Sequence, residues 1–190
     1  MQWLLPVRAA SRKTISPPCR IRLDTDQCLE TCTPVVYCPT EGMIRVGVRD
    51  MEIRNYVLAF PTTGKSDLID ITREVSQRVR ESGISEGSVL VFVPGSTAAL
   101  TTIEYESGVI EDLREAVGRL APEGVRYRHD ARWGDGNGYA HVRAALLGPS
   151  LTIPVIEGRP VLGTWQQVIL CDFDNRPRKR QVVVQVTGRR

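Results

Sequence analysis

The pattern of hydrophobic and polar positions divides the chain near Met51. Before that residue we find no sustained strand or helix periodicity, whereas after it strand and helix patterns follow one another almost without a gap. We therefore predict an irregular or flexible N-terminal extension over residues 1–50 and a single domain over residues 51–190. A second explanation for residues 1–50 is translation from a misassigned start, because Met43 also precedes the patterned region.

Within residues 51–190 the pattern predicts both strands and helices. Val75 and Val79 continue from Ile71 at helical spacing. Thr72 can cap that helix, and Gly83 suits the left-handed position after its last turn. The predicted helices cover about residues 72–82, 109–120 and 140–147, and the predicted strands cover residues 53–60, 68–71, 88–93, 151–156, 160–162, 165–173 and 181–186. Because few helices cross over between strands, we predict an α+β fold with mainly antiparallel sheets and two or three helices.

Composition and charge fit an ordinary globular protein. Of 190 residues, 42% are hydrophobic and 25% are charged, which excludes disorder over most of the length and excludes a collagenous or coiled-coil chain. The net charge of +3 is too small to indicate a nucleic-acid partner. No apolar run approaches the roughly 20 residues of a membrane helix, so we expect a cytoplasmic protein with neither nucleic acid nor membrane as partner.

The segment YRHDARWGDGNGYAH, residues 127–141, contains both histidines of the chain and is the richest in candidate chemistry. We take His129, Asp135, Asn137 and His141 as candidate catalytic residues, because imidazole and carboxylate groups can act as acid and base or bind a divalent metal. The glycines between them allow the backbone to approach a ligand closely. An ordinary surface turn would account for the glycines and the asparagine but not for both histidines.

Two further glycine-bounded groups are candidates for phosphate binding. Thr164 and Gln166 lie in the sequence GTWQ at the start of a predicted strand, where a phosphate or a heteroaromatic ring can be held. A tight bend with its tryptophan in the core explains the same residues. Ser96 and Thr97 follow a predicted buried strand and can cradle an anion with their hydroxyls and main-chain N–H groups, although the segment lacks the lysine and the spacing of a P-loop.

Arg178 lies in the basic run RPRKR at residues 176–180. Such a run is usually a solvated turn or strand edge, but an arginine can also pair with both oxygens of a phosphate. Cys171 lies in a strand-like run, and we predict that it is buried packing rather than a nucleophile.

These groups occur in an order that closely resembles the YjbQ family, which is usually described as a secondary thiamine-phosphate synthase. The likeness covers about residues 51–190, and residues 1–50 lie outside it. In chain order the motifs are GSTAA at residues 95–99, Glu104, YxH at residues 127–129, DxNxxxH at residues 135–141, LGxSxxxP at residues 147–154, Gly158, LGTWQ at residues 162–166 and Arg178.

The resemblance implies an α+β fold of β-sandwich character and a homotrimer with sites at or near subunit interfaces. It also implies a transferase that joins a pyrimidine diphosphate to a thiazole phosphate and releases pyrophosphate. We expect one pocket in which the residues of the 127–141 segment handle a metal or a proton and the others hold phosphate. The divalent metal would be Mg²⁺ or Zn²⁺, held by His129, Asp135 and His141. Tyr139 stands where many relatives have a histidine that completes a metal site.

Two other classes of function stay open at this point. A metal-dependent hydrolase of a phosphate or amide substrate would bind its metal tightly and turn over a single substrate. A non-catalytic trimeric protein would bind its ligand without turnover.

Overall fold

A computed structural model describes two short strands in the N-terminal region and residues 51–190 without interruption. Strand β1 (Val35–Cys38) pairs antiparallel with β2 (Gly42–Arg45), a regular element that the sequence pattern did not predict. The rest of the predicted extension lies outside the described residues. Backbone contacts divide the chain into two units, Met1–Arg49 and Asp50–Arg190.

The second unit contains two antiparallel sheets and four helices. Its strands are β3 (Glu52–Thr62), β4 (Asp67–Asp70), β5 (Glu86–Phe92), β6 (Ala98–Ile103), β7 (Ser150–Ile156), β8 (Arg159–Pro160), β9 (Gln167–Asp172) and β10 (Arg178–Arg189). Its helices are α1 (Thr72–Ser82), α2 (Ser107–Leu120), α3 (Arg128–Trp133) and α4 (Gly138–Leu147). The five-stranded sheet has the order β3-β10-β5-β7-β8, and the three-stranded sheet has the order β4-β9-β6.

Two hydrophobic cores stack these elements into three layers. Alternate residues of β10, such as Val182 and Val184, face alternate residues of β9, such as Leu170, across the space between the sheets. Helix α1 adds its buried apolar face to the same core. The opposite face of β9, with Ile169 and Cys171, packs against α2 and α4 in the second core. The α+β prediction with mainly antiparallel sheets is therefore confirmed, and the sandwich character comes with it.

Helix α1 has the predicted bounds, and its end at Gly83 adopts the predicted left-handed conformation with φ 69°. The prediction that Thr72 caps the helix is wrong. The Thr72 N–H donates to Asp70 Oδ1 at 2.9 Å, and the Thr72 hydroxyl accepts the Val168 N–H at 2.8 Å. Its side chain therefore ties the helix to β9 instead of capping it.

Within residues 51–190, two elements were not predicted. Strand β6 begins with two buried alanines, and two half-buried threonines precede its last residue, so neither strand alternation nor a continuous large apolar run marks it in the sequence. Helix α3 has six residues, none of them buried, and no apolar stripe. Among the described residues no helix is long and apolar enough to cross a membrane.

Candidate functional site

The 127–141 segment folds as two helices joined by a glycine-rich bend. Helix α3 ends at Gly134, whose φ of 70° is left-handed, and α4 begins at Gly138. The Gly138 N–H donates to Asp130 Oδ1 at 2.8 Å. A Cβ atom on Gly138 would lie 2.5 Å from the Tyr127 Cβ, so the close approach of the two helices requires glycine at this position.

The bend brings four predicted residues together into what we call the histidine cluster: His129, Asp135, Asn137 and His141. His129 Nε2 lies 3.3 Å from Asp135 Oδ2. With its amide nitrogen turned towards this pair, Asn137 donates to Asp135 at 3.2 Å. The rings of His129 and His141 have centroids 4.3 Å apart and are tilted by 45°. Asn137 is buried, whereas the side chains of His129 and Asp135 are 31% and 44% exposed, so solvent and ligands can reach the pair.

A divalent cation fits one part of this cluster. One ligand atom each from His129, Asp130 and Asp135 lies within 4.8 Å of the other two. An imidazole and two carboxylates are ligands that suit several divalent metals. His141, which the predicted metal set includes, is not part of this group of three, and its ring contacts that of His129. Asp130 has one oxygen free for a metal, because Oδ1 already accepts the Gly138 N–H.

Beside His141 lies a cavity of about 340 Å³. Its other lining residues are Gly95, Ser96, Ala98, Ala144, Ala145 and Pro149. Small apolar groups make up most of this wall, and the Ser96 hydroxyl and the His141 ring supply the polar atoms. The structure therefore brings Ser96 to the histidine cluster, as predicted, and the cavity suits a flat apolar ring that carries a few polar atoms.

Thr97 and Arg178 belong to a different arrangement, a buried network of charged groups around Asp174. The Thr97 hydroxyl donates to Asp174 Oδ2 at 3.0 Å, and Arg178 Nε donates to the same oxygen at 2.8 Å. Burial raises the pKa of the fully buried Asp174, but the hydrogen bonds from Arg178 and Thr97 outweigh it and hold the pKa below its usual value. Both predicted phosphate ligands thus make their strongest contacts inside the protein.

Asp172 and Arg180 complete what we call the charged network: Thr97, Asp172, Asp174, Arg178 and Arg180. Arg180 donates from Nε and Nη2 to the two oxygens of Asp172 at 2.8 and 2.6 Å. Arg180 Nη2 also donates to the Thr97 hydroxyl at 2.7 Å. Because side chains alternate along β10, Arg178 and Arg180 lie on the same buried side as Val182. The basic run is therefore only partly a solvated strand edge.

Asn175 connects the two arrangements, although sequence reasoning did not single it out. Its side-chain amide donates to the backbone carbonyl of Asp135 at 2.8 Å, and its own N–H donates to Asp174 Oδ1 at 2.8 Å. Its place directly after the DFD sequence was the only signal, and that signal does not separate it from an ordinary turn asparagine.

Thr164 and Gln166 lie far from the histidine cluster and the charged network in the folded domain. Gln166 Nε2 donates to the Thr102 hydroxyl at 3.0 Å. In the register of β6 with β9, Ile103 pairs with Gln167, whereas Ala98 pairs with Asp172. Thr164 and Gln166 precede Gln167, so they lie at the end of the sheet that is about 17 Å from Asp172. One copy of the chain therefore does not form the predicted pocket that contains all nine residues.

Tyr139 is a packing residue. It is buried in the second core, and the Arg143 guanidinium lies 4.7 Å from the centroid of its ring. Burial raises the pKa of its hydroxyl. The tyrosine thus contributes to the packing of the second core.

Comparisons with known proteins agree on one family. The sequence pattern of the family described as UPF0047 protein YjbQ-like matches residues 56–189. A UPF0047 protein of Archaeoglobus fulgidus is 41% identical over 127 residues, which cover 67% of this chain and 96% of that protein. The UPF0047 protein YugU of Bacillus subtilis is 35% identical over 132 residues, which cover 69% and 97%. A crystal structure of a YbjQ-like protein of unknown function from Sulfolobus solfataricus matches with a TM-score of 0.70 and 34% identity over 73% of this chain and 99% of that one.

Proposed function

Because the chain belongs to the YjbQ-like UPF0047 family, we propose that it acts as a secondary thiamine-phosphate synthase, which joins a pyrimidine diphosphate to a thiazole phosphate. In this reaction the thiazole nitrogen forms a bond to the methylene carbon of the pyrimidine. The bond from that carbon to the diphosphate oxygen breaks, and pyrophosphate leaves with the electron pair. The proposal rests on the resemblance of the motifs and on the chemistry that the site offers.

The observation that carries it is the histidine cluster beside a cavity with a largely apolar wall. The reaction needs the thiazole nitrogen positioned against the methylene carbon of the pyrimidine and negative charge stabilised on the departing pyrophosphate, and it needs no protein nucleophile. The cavity at Ser96 and His141 suits a ring. Two alternative arrangements would stabilise the leaving group. Without a metal, His129 is oriented by Asp135 and can donate a proton to a leaving phosphate oxygen. With a Mg²⁺ ion held by His129, Asp130 and Asp135, the ion would instead neutralise charge on the leaving group.

A homotrimer is the second part of the proposal. Val57 and Phe92 lie in one row on the outer face of the five-stranded sheet and are 62% and 36% exposed. Ile53 and Ile156 are also exposed. An apolar sheet face of this kind is commonly buried by another subunit. A second copy would also supply Thr164 and Gln166 to a site from which they are distant within one chain. Light scattering tests this part, and a stable monomer at micromolar concentration would contradict it.

A metal-dependent hydrolase is the second candidate, because His129, Asp130 and Asp135 form a donor group that could bind a metal tightly. A metal held by these residues would activate water for the hydrolysis of a single phosphate or amide substrate. A phosphorylated small molecule is the expected ligand in either case.

The deciding experiment combines an inventory of metals and ligands in the purified protein with an assay of pyrophosphate release. The synthase requires release that depends on both precursors and yields thiamine phosphate. Phosphate or amide hydrolysis with one substrate and a stoichiometric bound metal would favour the hydrolase. Tight ligand binding without turnover would contradict both and leave a non-catalytic binding protein.

A further inference from the structure

We propose that a second cavity, of about 510 Å³, binds a phosphate or pyrophosphate group. The cavity lies between the turn that joins β3 to β4 and the turn that precedes β10. Its lining residues are Thr63, Gly64, Lys65, Ser66, Asp67, Arg114, Asn175, Arg176 and Pro177. The sequence pattern led us to assign phosphate to Arg178 of the basic run 176–180, whereas this cavity contains Arg176 of the same run together with Lys65 and Arg114.

The turn at the cavity has an unusual backbone. Gly64, Lys65 and Ser66 adopt φ values of 74°, 55° and 63°, three successive left-handed residues of which two are not glycine. A Cβ atom on Gly64 would lie 2.5 Å from the Asp174 carbonyl oxygen, so only glycine allows this approach. Strained backbone of this kind persists where the surroundings fix it, and it is concentrated at ligand sites.

The surroundings fix this turn from several sides. The Lys65 N–H donates to the Asp174 carbonyl oxygen at 2.6 Å. The buried Arg143 donates from Nη1 to the Ser66 hydroxyl at 3.0 Å, and Arg114 Nε donates to the Ser66 carbonyl at 3.2 Å. The turn is therefore held in one shape before any ligand arrives, which lowers the entropy lost on binding.

The charge of the cavity selects an anion. Lys65, Arg114 and Arg176 line it, and neither Lys65 nor Arg176 forms an ion pair with a carboxylate of residues 51–190. Arg114 pairs with Glu111 at 3.2 Å on the exposed side of α2. Among the described lining residues Asp67 is the one acid, and its Oδ2 accepts the Thr63 N–H at 2.7 Å and the Thr63 hydroxyl at 3.0 Å. Two arginines and a lysine around a polar cavity supply the charged donors that phosphate binding requires.

The cavity also adjoins the histidine cluster. Asn175 lines it and donates to the Asp135 carbonyl at 2.8 Å. Asn175 is thus the residue that separates an anion in this cavity from the histidine cluster. If the proposed synthase activity is correct, the cavity holds the phosphate end of a reactant or the leaving pyrophosphate; the binding itself does not depend on that activity.

Isothermal titration with inorganic pyrophosphate and with inorganic phosphate, at constant ionic strength, tests the inference. Lys65→Asn keeps a residue that tolerates left-handed backbone, and Arg176→Gln removes the second cation. We expect each variant to bind the better of the two anions at least about tenfold more weakly, since each loses a charged hydrogen bond. Arg119→Gln is the matched control, because Arg119 is 70% exposed on α2 and does not line the cavity. It removes the same charge and should leave the affinity unchanged.

Two results would overturn the inference: no binding of either anion to the unaltered protein, or equal affinities for Lys65→Asn, Arg176→Gln and Arg119→Gln. Thermal unfolding of each variant shows whether it is folded. Lys65→Gly removes the same cation as Lys65→Asn and adopts the left-handed backbone without strain, so it replaces Lys65→Asn if that variant does not fold. Failure of the synthase proposal gives a different result. Pyrophosphate would then still bind through Lys65 and Arg176, but neither the unaltered protein nor His141→Ala would release pyrophosphate from the two precursors.

Discussion

The charged network and the histidine cluster contain similar side chains but use them differently. In the network, Asp172 and Asp174 are fully buried, and their oxygens accept hydrogen bonds from arginine, threonine and backbone groups. In the cluster, Asp135 is 44% exposed and contacts His129 at the long distance of 3.3 Å. A polar group whose bonds are satisfied internally stabilises the fold, whereas one with free atoms at the surface is available to a ligand. Removal of a carboxylate from the charged network should therefore destabilise the fold, whereas removal of one from the histidine cluster should affect ligand binding or turnover.

The largest difference is expected for the aspartates. Asp172→Ala should lower the free energy of unfolding by about 3–5 kcal/mol, because it leaves the guanidinium of Arg180 buried without its bidentate partner. Asp135→Ala, the matched control in the cluster, should change it by about 0.5 kcal/mol or less. Urea unfolding measures both. Equal losses for the two variants would contradict the division between the regions.

A smaller effect is expected at a glycine that shapes the cluster. Gly138→Ala should destabilise the protein by about 1–3 kcal/mol, because the new methyl group would meet the Tyr127 side chain at 2.5 Å. It should also lower turnover by displacing α3 from α4. Gly118→Ala in α2 is the control, since its nearest contact would be a normal 4.0 Å to Arg143 Nη2. That variant should be as stable as the unaltered protein or up to about 1 kcal/mol more stable. A Gly138→Ala protein that unfolds like the control would show that α3 and α4 are not closely packed here.

The next effect is the loss of stability at low pH through Asp174. The pKa of Asp174 is lower in the folded protein than its usual value of about 3.9 in an unfolded chain. Its contribution to stability is therefore complete above that value and is lost as the pH falls through the folded pKa. We expect the urea midpoint of the unaltered protein to fall more steeply below about pH 4 than that of Asp174→Asn. Parallel curves would mean that the network contributes no such proton linkage.

The smallest effect is expected at Cys171 in the second core. Burial raises the pKa of its thiol to about 12 and leaves its side chain fully inaccessible. Mass spectrometry after treatment of the native protein with an alkylating reagent should find Cys171 unlabelled, while urea-unfolded protein is labelled there. Rapid labelling in the native state would place the thiol in contact with solvent.

The fold was predictable from sequence wherever burial imposes a period. The apolar alternation of β10 and the helical spacing of Val75 and Val79 indicate the elements that the structure contains. Strand β6 and helix α3 were missed because the first is built on small residues and the second has no buried face.

The site was predictable only in part, because composition indicates polar residues but does not show how they are paired. Glycine spacing and the two histidines indicated the four residues of the cluster. The same reasoning assigned phosphate to Thr97 and Arg178, whose hydrogen bonds to Asp174 join distant parts of the chain that no local pattern connects. The strained turn at Lys65 was missed for the same reason, since a non-glycine residue with positive φ has no sequence signature.

We propose that the histidine cluster carries the chemistry and contributes little to the fold. This is tested by measuring pyrophosphate release from the two precursors by His141→Ala, with urea unfolding of the same sample. We expect turnover lower by roughly 10²–10⁴, the usual range for loss of an acid–base group, with an unchanged urea midpoint. A folded His141→Ala protein with unchanged turnover and unchanged metal content would contradict it.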